Sequence, residues 1–360
     1  MSMPTTALIV AGGRGTRLLP VTEHVPKPLL PFCGAPFLAG LARRLRLAGV
    51  RRVGLIVGSD TAPFEPLRAL LAPHDVDVWI VPEPQPLDTA GGVRSAIETL
   101  QEPVLVLNGD VLSDLDFGAL CAHHATSAAT ATIALTRVHD TSTFGVCVLE
   151  EDRITAFVEK PAPGALPGHD TVNAGAYVLA PGALAAFDVG PLSFEHDVFP
   201  TLLARGERLT GHVHEGVWTD LGTPERFLEG QRLVLDGVMP WPPRDDLEDL
   251  GRREGRPGRE GVLVGRDVQI AGDVRFDPPV VIEDGVSIGS GAAIGPHVVL
   301  AAGAHVGDRA DVADALVGAR ALVGQRAVVS QALVTNDARV AAGAHLYGPV
   351  GRAARSGGKS

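Results

Sequence analysis

"LIVAGGRGTRLLPVTEHVPKPLLP" occupies residues 8–31. It opens as an apolar run, breaks into glycines, and then sets Arg17 and Lys27 among prolines. An apolar strand ending in AGGRGTR presents several backbone N–H groups at the carboxyl edge of a sheet. Glycine reaches φ > 0 at no steric cost and lets backbone approach an anion closely. Arg17 adds a planar fork of donors matched to phosphate oxygens. Taken alone, the loop also reads as a plain structural turn. Spacing excludes two better-known phosphate loops. GxxxxGK[ST] is absent, and no GxGxxG opens a helix with an acid about 20 residues on.

Short apolar runs recur outward from this stretch, at 7–11, 53–57, 77–81, 104–107, 131–136 and 174–179. Residues 36–49 and 90–100 carry the amphipathic pattern of helices, the first closed by Gly49 as a C-cap. Strands alternating with helices predict a mostly parallel sheet, covered on both faces, over residues 1–235. Residues 236–260 are rich in charge, Pro and Gly and read as a linker with at most one short helix. From 262 a six-residue period sets in. Apolar residues fall at Val264, Ile270, Phe276, Ile282, Ile288, Ile294, Leu300, Val306 and Val312. After a one-residue slip they continue at Val317, Val323 and Val329, and after a second at Val334, Val340 and Leu346. Three hexads make one triangular coil, so 261–348 is expected to form a parallel β-helix, with 349–360 as a tail. The pattern resembles hexapeptide-repeat proteins, and that resemblance implies a left-handed coil.

Bulk composition narrows the function. Lys and Arg total 31 against 42 Asp and Glu, a net charge of −11 with no long basic run. That balance argues against general nucleic-acid binding but allows a local anion site. Cys33, Cys121 and Cys147 are odd in number and far apart. Neither a disulfide framework nor a zinc site is expected, and a reducing cytoplasm is the simplest setting. The N-terminus lacks the features of a secretory signal, and no apolar run reaches the ~18–20 residues of a membrane span.

GGRGTRL followed by PVTEHVPKPLLP resembles the signature of sugar nucleotidyltransferases, the nucleotide-sugar pyrophosphorylases. Gly12, Gly13, Gly15, Thr16, Arg17, Lys27 and Pro28 stand where that signature needs them. LVLNGDVL (105–112), FVEKP (157–161), NAGAYVL (173–179), SFEHDVFPTLL (193–203) and GVWTDLGTPERF (216–227) follow in the family's order. The resemblance, covering residues 5 to about 235, implies a Rossmann-like α/β nucleotidyltransferase domain. It assigns Ala11, Gly12, Gly13, Gly15, Thr16, Glu83, Thr89, Ala90, Gly91 and Gly109 to the nucleotide. Arg17 and Lys27 go to its triphosphate, and Asp110 and Asp220 to Mg2+. Gly145, Glu159, Lys160, Asn173 and Glu195 go to the sugar phosphate, with Lys160 on the phosphate itself. Arg17, Lys27 and Lys160 are the catalytic candidates. Plainer readings stand beside these: Asp110 as a turn residue or N-cap, Glu159–Lys160 as a solvated ion pair, Asn173 as a strand entry and Glu195 as a helix cap. Pro224 after Thr223 reads directly as a helix start with Thr as N-cap.

The reaction so implied is attack of a sugar 1-phosphate oxygen on the α-phosphorus of a nucleoside triphosphate, with pyrophosphate leaving. EPQPLDTAGGV (83–93) resembles the base-facing loop of mannose-1-phosphate guanylyltransferases, which favours GTP and makes mannose 1-phosphate the default acceptor. Asp88 stands where that group usually has Gly, and Ala35 and His196 where lysine is common. These departures admit an unusual acceptor. A specialised relative, valienol 1-phosphate guanylyltransferase of aminocyclitol antibiotic biosynthesis, takes a cyclitol phosphate. Two readings come from other classes. One is a hexapeptide-repeat acyltransferase with His297, His305 or His345 as base. The other is a non-catalytic regulatory subunit, which tends to lose the loop arginine, the lysines or the metal carboxylates that this chain keeps. The solenoid is expected to serve assembly into a homo-oligomer, and the acidic run 245–249 to be a solvated segment. Neither nucleic acid nor membrane is an expected partner.

Overall fold

The computed structural model describes residues 4–13, 15–97, 101–242, 244–254 and 259–348. These divide into two compact units interleaved in sequence. One holds the chain up to Gly13 and Leu41–Trp218; the other holds the segment ending at Gly40 and the chain from Thr219 on. The division does not fall at the boundary expected near 235. The expected tail, 349–360, lies outside the described residues, as do the last residues of the helix expected over 90–100.

The first unit is built on nine strands: β1 (Thr6–Val10), β2 (Arg52–Val57), β3 (Asp77–Pro82), β4 (Val104–Asn108), β5 (Ala131–Arg137), β6 (Gly145–Glu150), β7 (Arg153–Glu159), β8 (Thr171–Leu179) and β9 (Leu209–His214). Their order across the sheet is β3-β2-β1-β4-β8-β5-β9-β7-β6. β1 pairs in parallel with β2 and β4, so Ile9 lies between Leu55 and Leu107. Ala7, Leu8 and Ile9 are wholly buried, as the apolar run requires of a strand covered on both faces.

The expected mostly parallel sheet is corrected to a mixed one. β8 is antiparallel to both β4 and β5, and β7 is antiparallel to β6 and β9. A parallel neighbour needs a long crossover, whereas an antiparallel one needs only a turn. The chain passes from β5 through β6 and β7 to β8 with no helix between them. The two-residue link Glu151–Asp152 joins β6 to β7, with Glu151 at φ 58. β8 carries a bulge between Asn173 and Tyr177, with Gly175 at φ 75. The long helices are α1 (Phe37–Leu47), which passes from the second unit into the first, α2 (Asp88–Ala96) and α3 (Phe117–Ser127) in the first, and α4 (Pro224–Leu235) in the second.

In the second unit, Phe32 meets Phe37, Phe227 and Trp241 edge-on at 5.4, 5.5 and 5.4 Å between ring centroids. Trp241 stacks on Phe37 at 5.2 Å. A Cβ at Gly40 would collide with the Trp241 ring, so glycine makes this packing possible. Burial of these rings ties the segment just after the opening stretch and the expected linker into one core, which explains why the units do not divide at 235. The linker segment also supplies a short strand, Glu248–Asp249, antiparallel to Val262–Val264, and a short helix, Leu250–Glu254.

Beyond it, short strands stack in parallel on three faces. Val262 pairs with Val280 and Val280 with Val298, one turn of 18 residues per step. Gln269–Ile270 and Arg275–Phe276 begin the other two stacks with the same step. From Val306 to Val323 to Val340 the step is 17. One corner accounts for the slip. Gly295, Pro296 and His297 connect Ile294 to Val298, whereas Ala313 and Asp314 alone connect Val312 to Ala315, with Asp314 at φ 46. The apolar ladder points inward. Its members are buried except Ile270, Phe276 and Leu346, which are half-buried in the end coils. α4 is fastened to this coil through Arg232–Asp314 at 2.9 Å. Its N-cap is Thr223, whose hydroxyl accepts the Arg226 amide at 3.4 Å. Among the described residues no helix is long and apolar enough to cross a membrane.

Candidate active site

Five separated motifs of the first unit converge on one cleft of about 320 Å³. Gly145, Glu159, Lys160, Asn173 and Glu195 all line it, together with Thr89, Asp88 and His196. The β7 end carries Glu159 and Lys160, paired at 3.0 Å, with Lys160 well exposed and turned into φ 45. The β8 bulge presents Asn173. Its amide donates to the Tyr177 hydroxyl at 2.8 Å, and its Oδ1 accepts the Gly175 N–H at 2.9 Å. Trp218 Nε1 donates to the Ala174 carbonyl at 2.9 Å and holds the bulge. Gly145 is required by closeness: a Cβ there would lie 2.5 Å from Phe157 and 2.8 Å from Glu159 Oε2.

Glu195 is held from three sides. Oε2 accepts the Thr89 hydroxyl at 2.7 Å and the Ser193 hydroxyl at 3.0 Å, and Oε1 faces the Tyr177 hydroxyl at 3.5 Å. Burial, then the neighbouring Glu195 charge, pushes the Tyr177 phenol well above its ordinary pKa, so it stays a donor. Ser193 in turn caps the helical turn Phe194–Val198 through the Glu195 and His196 amides. Glu195 is therefore not the cap of its own helix; Ser193 is.

The carboxyl edge of β1–β4 holds Ala11, Gly12, Gly13, Glu83 and Gly109, which were expected at the nucleotide. Ala11 N–H donates to Ile56 O at 2.7 Å and Gly109 N–H to Val10 O at 2.8 Å. A Cβ at Gly109 would sit 2.8 Å from that same Val10 oxygen. Gly12 lies against Glu83, 3.0 Å from a built Cβ to Oε2, while Gly13 faces open space. Glu83 is 7% exposed and its Oε1 is enclosed without a hydrogen-bond partner. Burial raises the Glu83 pKa; the backbone amides of Gly92 and Leu87 act against it and Asp88 acts with it. Of the three neighbours expected with them, Thr89 lines the cleft of Gly145 and Lys160, and the Ala90 and Gly91 amides donate to Leu192 O at 2.8 and 3.1 Å.

Gly15, Thr16, Arg17, Lys27 and Asp220 belong to the second unit. Gly15 sits at φ 60, and a Cβ on it would press on Lys27 and Thr22 at 3.1 and 3.2 Å. Thr22 Oγ1 donates to Gly15 O at 2.8 Å and holds the loop. Lys27 is 8% exposed, at the start of a 3-10 turn. Gly222 separates Arg17 from Asp220: a Cβ there would collide with both side chains. Asp220 Oδ1 accepts the Gly222 amide at 2.9 Å and Oδ2 pairs closely with Arg226. Asp110 lies in the first unit, in the turn after β4. Among the described residues no three His, Cys, Asp or Glu side chains form a metal cage. Mg2+ keeps its waters and takes one or two carboxylates plus substrate phosphates, so it needs no such cage.

Sequence reasoning passed over Ser193, Tyr177, Trp218 and Arg226, which hold the named residues in place. Each stood inside a quoted motif, and for Arg226 a helix start three residues before it was the available signal. Two of the histidines weighed as acyl-transfer bases, His297 and His305, are hydrogen-bonded to neighbouring side chains. His297 bridges Asp236 at 2.7 Å and Asp314 at 3.2 Å, and His305 bonds Ser287 at 2.7 Å.

Mannose-1-phosphate guanylyltransferase of Mycobacterium tuberculosis is 39% identical over 241 residues, 66% of this chain and 66% of that protein. Mannose-1-phosphate guanylyltransferase catalytic subunit beta of Danio rerio is 38% identical over 238 residues, 64% of this chain and 65% of that one. The chain thus spans just under two thirds of the length of these curated relatives. The crystal structure of HddC from Yersinia pseudotuberculosis is similar with a TM-score of 0.55 at 25% identity, covering 64% of this chain and 100% of that one. The same protein complexed with GMP-PN is similar to the same degree. Residues 6–237 match the nucleotidyl transferase family, and the chain belongs to it.

Proposed function

We propose that the chain transfers a guanylyl group from GTP to a sugar 1-phosphate or a sugar-like cyclitol 1-phosphate, with mannose 1-phosphate as the default acceptor. The observation that carries this reading is the cleft in which Gly145, Glu159, Lys160, Asn173 and Glu195 meet, within the unit that also holds Glu83. Guanine is supported by Glu83. A buried carboxylate with an unpartnered oxygen favours a base edge that offers N–H donors, and the N1 and N2 groups of guanine form such an edge. The relatives named above for mannose 1-phosphate and guanylyl transfer, and the GMP-PN bound by HddC, support the same choice.

An oxygen of the acceptor phosphate attacks the α-phosphorus. The bond from that phosphorus to the bridging oxygen breaks, and pyrophosphate carries the electron pair away. The nucleophile is already ionised, so the protein needs to position and to neutralise, not to deprotonate. Lys160 holds the acceptor phosphate against like-charge repulsion, while Glu159 and Asn173 orient its ring through hydroxyls. Arg17 and Lys27 stabilise the departing pyrophosphate. Asp110 and Asp220 are the proposed ligands of Mg2+, which when bound neutralises phosphate charge as it develops. The coil is read as a left-handed β-helix that serves homo-oligomer assembly, and the cytoplasm as the setting.

A pyrophosphate-release screen tests this reading. It crosses nucleoside triphosphates with sugar and cyclitol 1-phosphates, with and without Mg2+. GTP with one acceptor class is expected to exceed every other pairing, and chelation of the metal to abolish release. Asp110→Asn is expected to lose at least ~10²-fold in kcat with its thermal midpoint preserved. Near-normal turnover in that variant would overturn the metal assignment.

A further inference from the structure

We propose that Asp88 selects the acceptor, by accepting a hydrogen bond from a ring hydroxyl or ammonium on the edge away from its phosphate; this rests on the function proposed above. Asp88 is exposed and lines the same cleft as Lys160, Asn173 and Glu195. Its Oδ1 accepts one bond, from the adjacent Thr89 amide at 2.8 Å, and its Oδ2 accepts none among the described residues. Its backbone stands at φ 62, a region that aspartate tolerates and glycine enters freely. A side chain kept there against that preference points to a role beyond folding.

Asp88 is the first residue of α2, whose N-cap is Leu87, and the Thr89 amide is the one helix amide its side chain receives. The amides of Ala90 and Gly91, which a capping side chain would serve, donate to the Leu192 carbonyl instead. The other carboxylates of the cleft are matched. Glu159 pairs with Lys160 at 3.0 Å, and Glu195 accepts the hydroxyls of Thr89 and Ser193. Among the described residues Asp88 is the cleft carboxylate with neither a cation nor a side-chain donor on it. A dianionic phosphate is repelled by it and drawn to Lys160, which fixes the direction of the acceptor: phosphate toward Lys160, a donor-bearing ring edge toward Asp88. An acceptor lacking a donor there leaves the carboxylate desolvated and unpaired, and this penalty is what discriminates.

Steady-state kinetics of the full chain with GTP and Mg2+ test this, on wild type, Asp88→Gly and Asp88→Asn. The acceptors are mannose, glucose, 2-deoxyglucose and glucosamine 1-phosphates, with any better substrate from the screen above. Glycine suits φ 62, so Asp88→Gly is expected to melt at or above the wild-type temperature, and misfolding cannot account for a loss. Its KM for the best acceptor is expected to rise about tenfold or more, with the KM for GTP within about twofold. Preference over an analogue lacking the donor is expected to narrow. Asp88→Asn separates the two donors. A hydroxyl keeps its bond to the amide oxygen and loses little, whereas an ammonium loses its charge partner and behaves as in Asp88→Gly. An unchanged acceptor KM in Asp88→Gly overturns the proposal, as does a change confined to the KM for GTP. Absence of pyrophosphate release from wild type with every pairing removes the proposed function and this selection together. Normal wild-type turnover with an indifferent Asp88→Gly removes the selection alone.

Discussion

The cleft of the first unit and the coil of the second bury different kinds of atom. Around the cleft, buried or half-buried polar groups hold one another: Tyr177, Asn173, Glu195, Ser193 and Thr89 form a connected set. Inside the coil the enclosed ladder is Val, Ile and Leu, stacked rung on rung. A hydrogen-bonded set fixes where charges stand, so its loss is felt in chemistry. A repeated apolar ladder fixes only that the chain coils, so its loss is felt in stability.

The contrast is broken most severely at Lys160. Lys160→Ala is expected to lower kcat/KM for the acceptor by about 10²–10³-fold while the thermal midpoint moves little, because the side chain is exposed and its one ion pair is partly screened. Steady-state assays beside a melting curve check both halves. Leu300→Ala is the counterpart. Leu300 is wholly buried in the coil, so its truncation is expected to cost about 2–5 kcal/mol in denaturant unfolding. Turnover per folded molecule should stay near wild type; a large fall would mean that the coil reaches into the chemistry.

Gly145→Ala comes next. The added methyl meets Phe157 and Glu159, so the acceptor KM is expected to rise about tenfold with a smaller loss of stability.

The smallest effect is in pH dependence, and its sign differs between the two regions. In the coil, Glu283 is 8% exposed, and burial lifts its pKa to about 7, against the Ala302 amide and Arg244. A carboxyl raised this way stabilises when protonated, so its contribution fades as pH rises from ~4.3 toward 7. In the first unit, burial lowers the pKa of His124 and of His212, with His123 adding to both, so both are held neutral. Their contribution is present above ~6.5 and is lost as pH falls below it. Thermal melts from pH 5 to 8 should show Glu283→Gln gaining stability relative to wild type at the alkaline end. His212→Gln should instead flatten the acid limb. Parallel curves for either variant and wild type would remove that assignment.

Much of this was legible in the chain. Six strands lie within a residue or a few of the apolar runs that announced them, and the apolar ladder marks the coil down to its two slips. Thr223 caps the helix that Pro224 signalled. Other features gave little local sign. β7 and β9 interleave polar residues with apolar ones, and the run Val146–Leu149 of β6 is only four residues long. The reversed direction of β8 depends on its neighbours, β4 and β5, and leaves no trace in its own residues. Trp241 stood in a Pro-rich, charged stretch that read as linker, yet it stacks on Phe37 because Gly40 makes room for it.

The sequence by itself determined the repeating core of the coil, the glycine loop and the types of residue that the chemistry needs. These are set by local periodicity, by backbone freedom and by side-chain charge, all of which act over a few residues. Tertiary structure alone decided that five motifs spread over residues 88–196 share one cleft. It also decided that Asp88 stands there with neither a cation nor a side-chain donor on it among the described residues, and that Glu83 is buried against Gly12. Burial and hydrogen-bond satisfaction depend on atoms far apart in the chain, so they are settled only when the sheet has chosen its order.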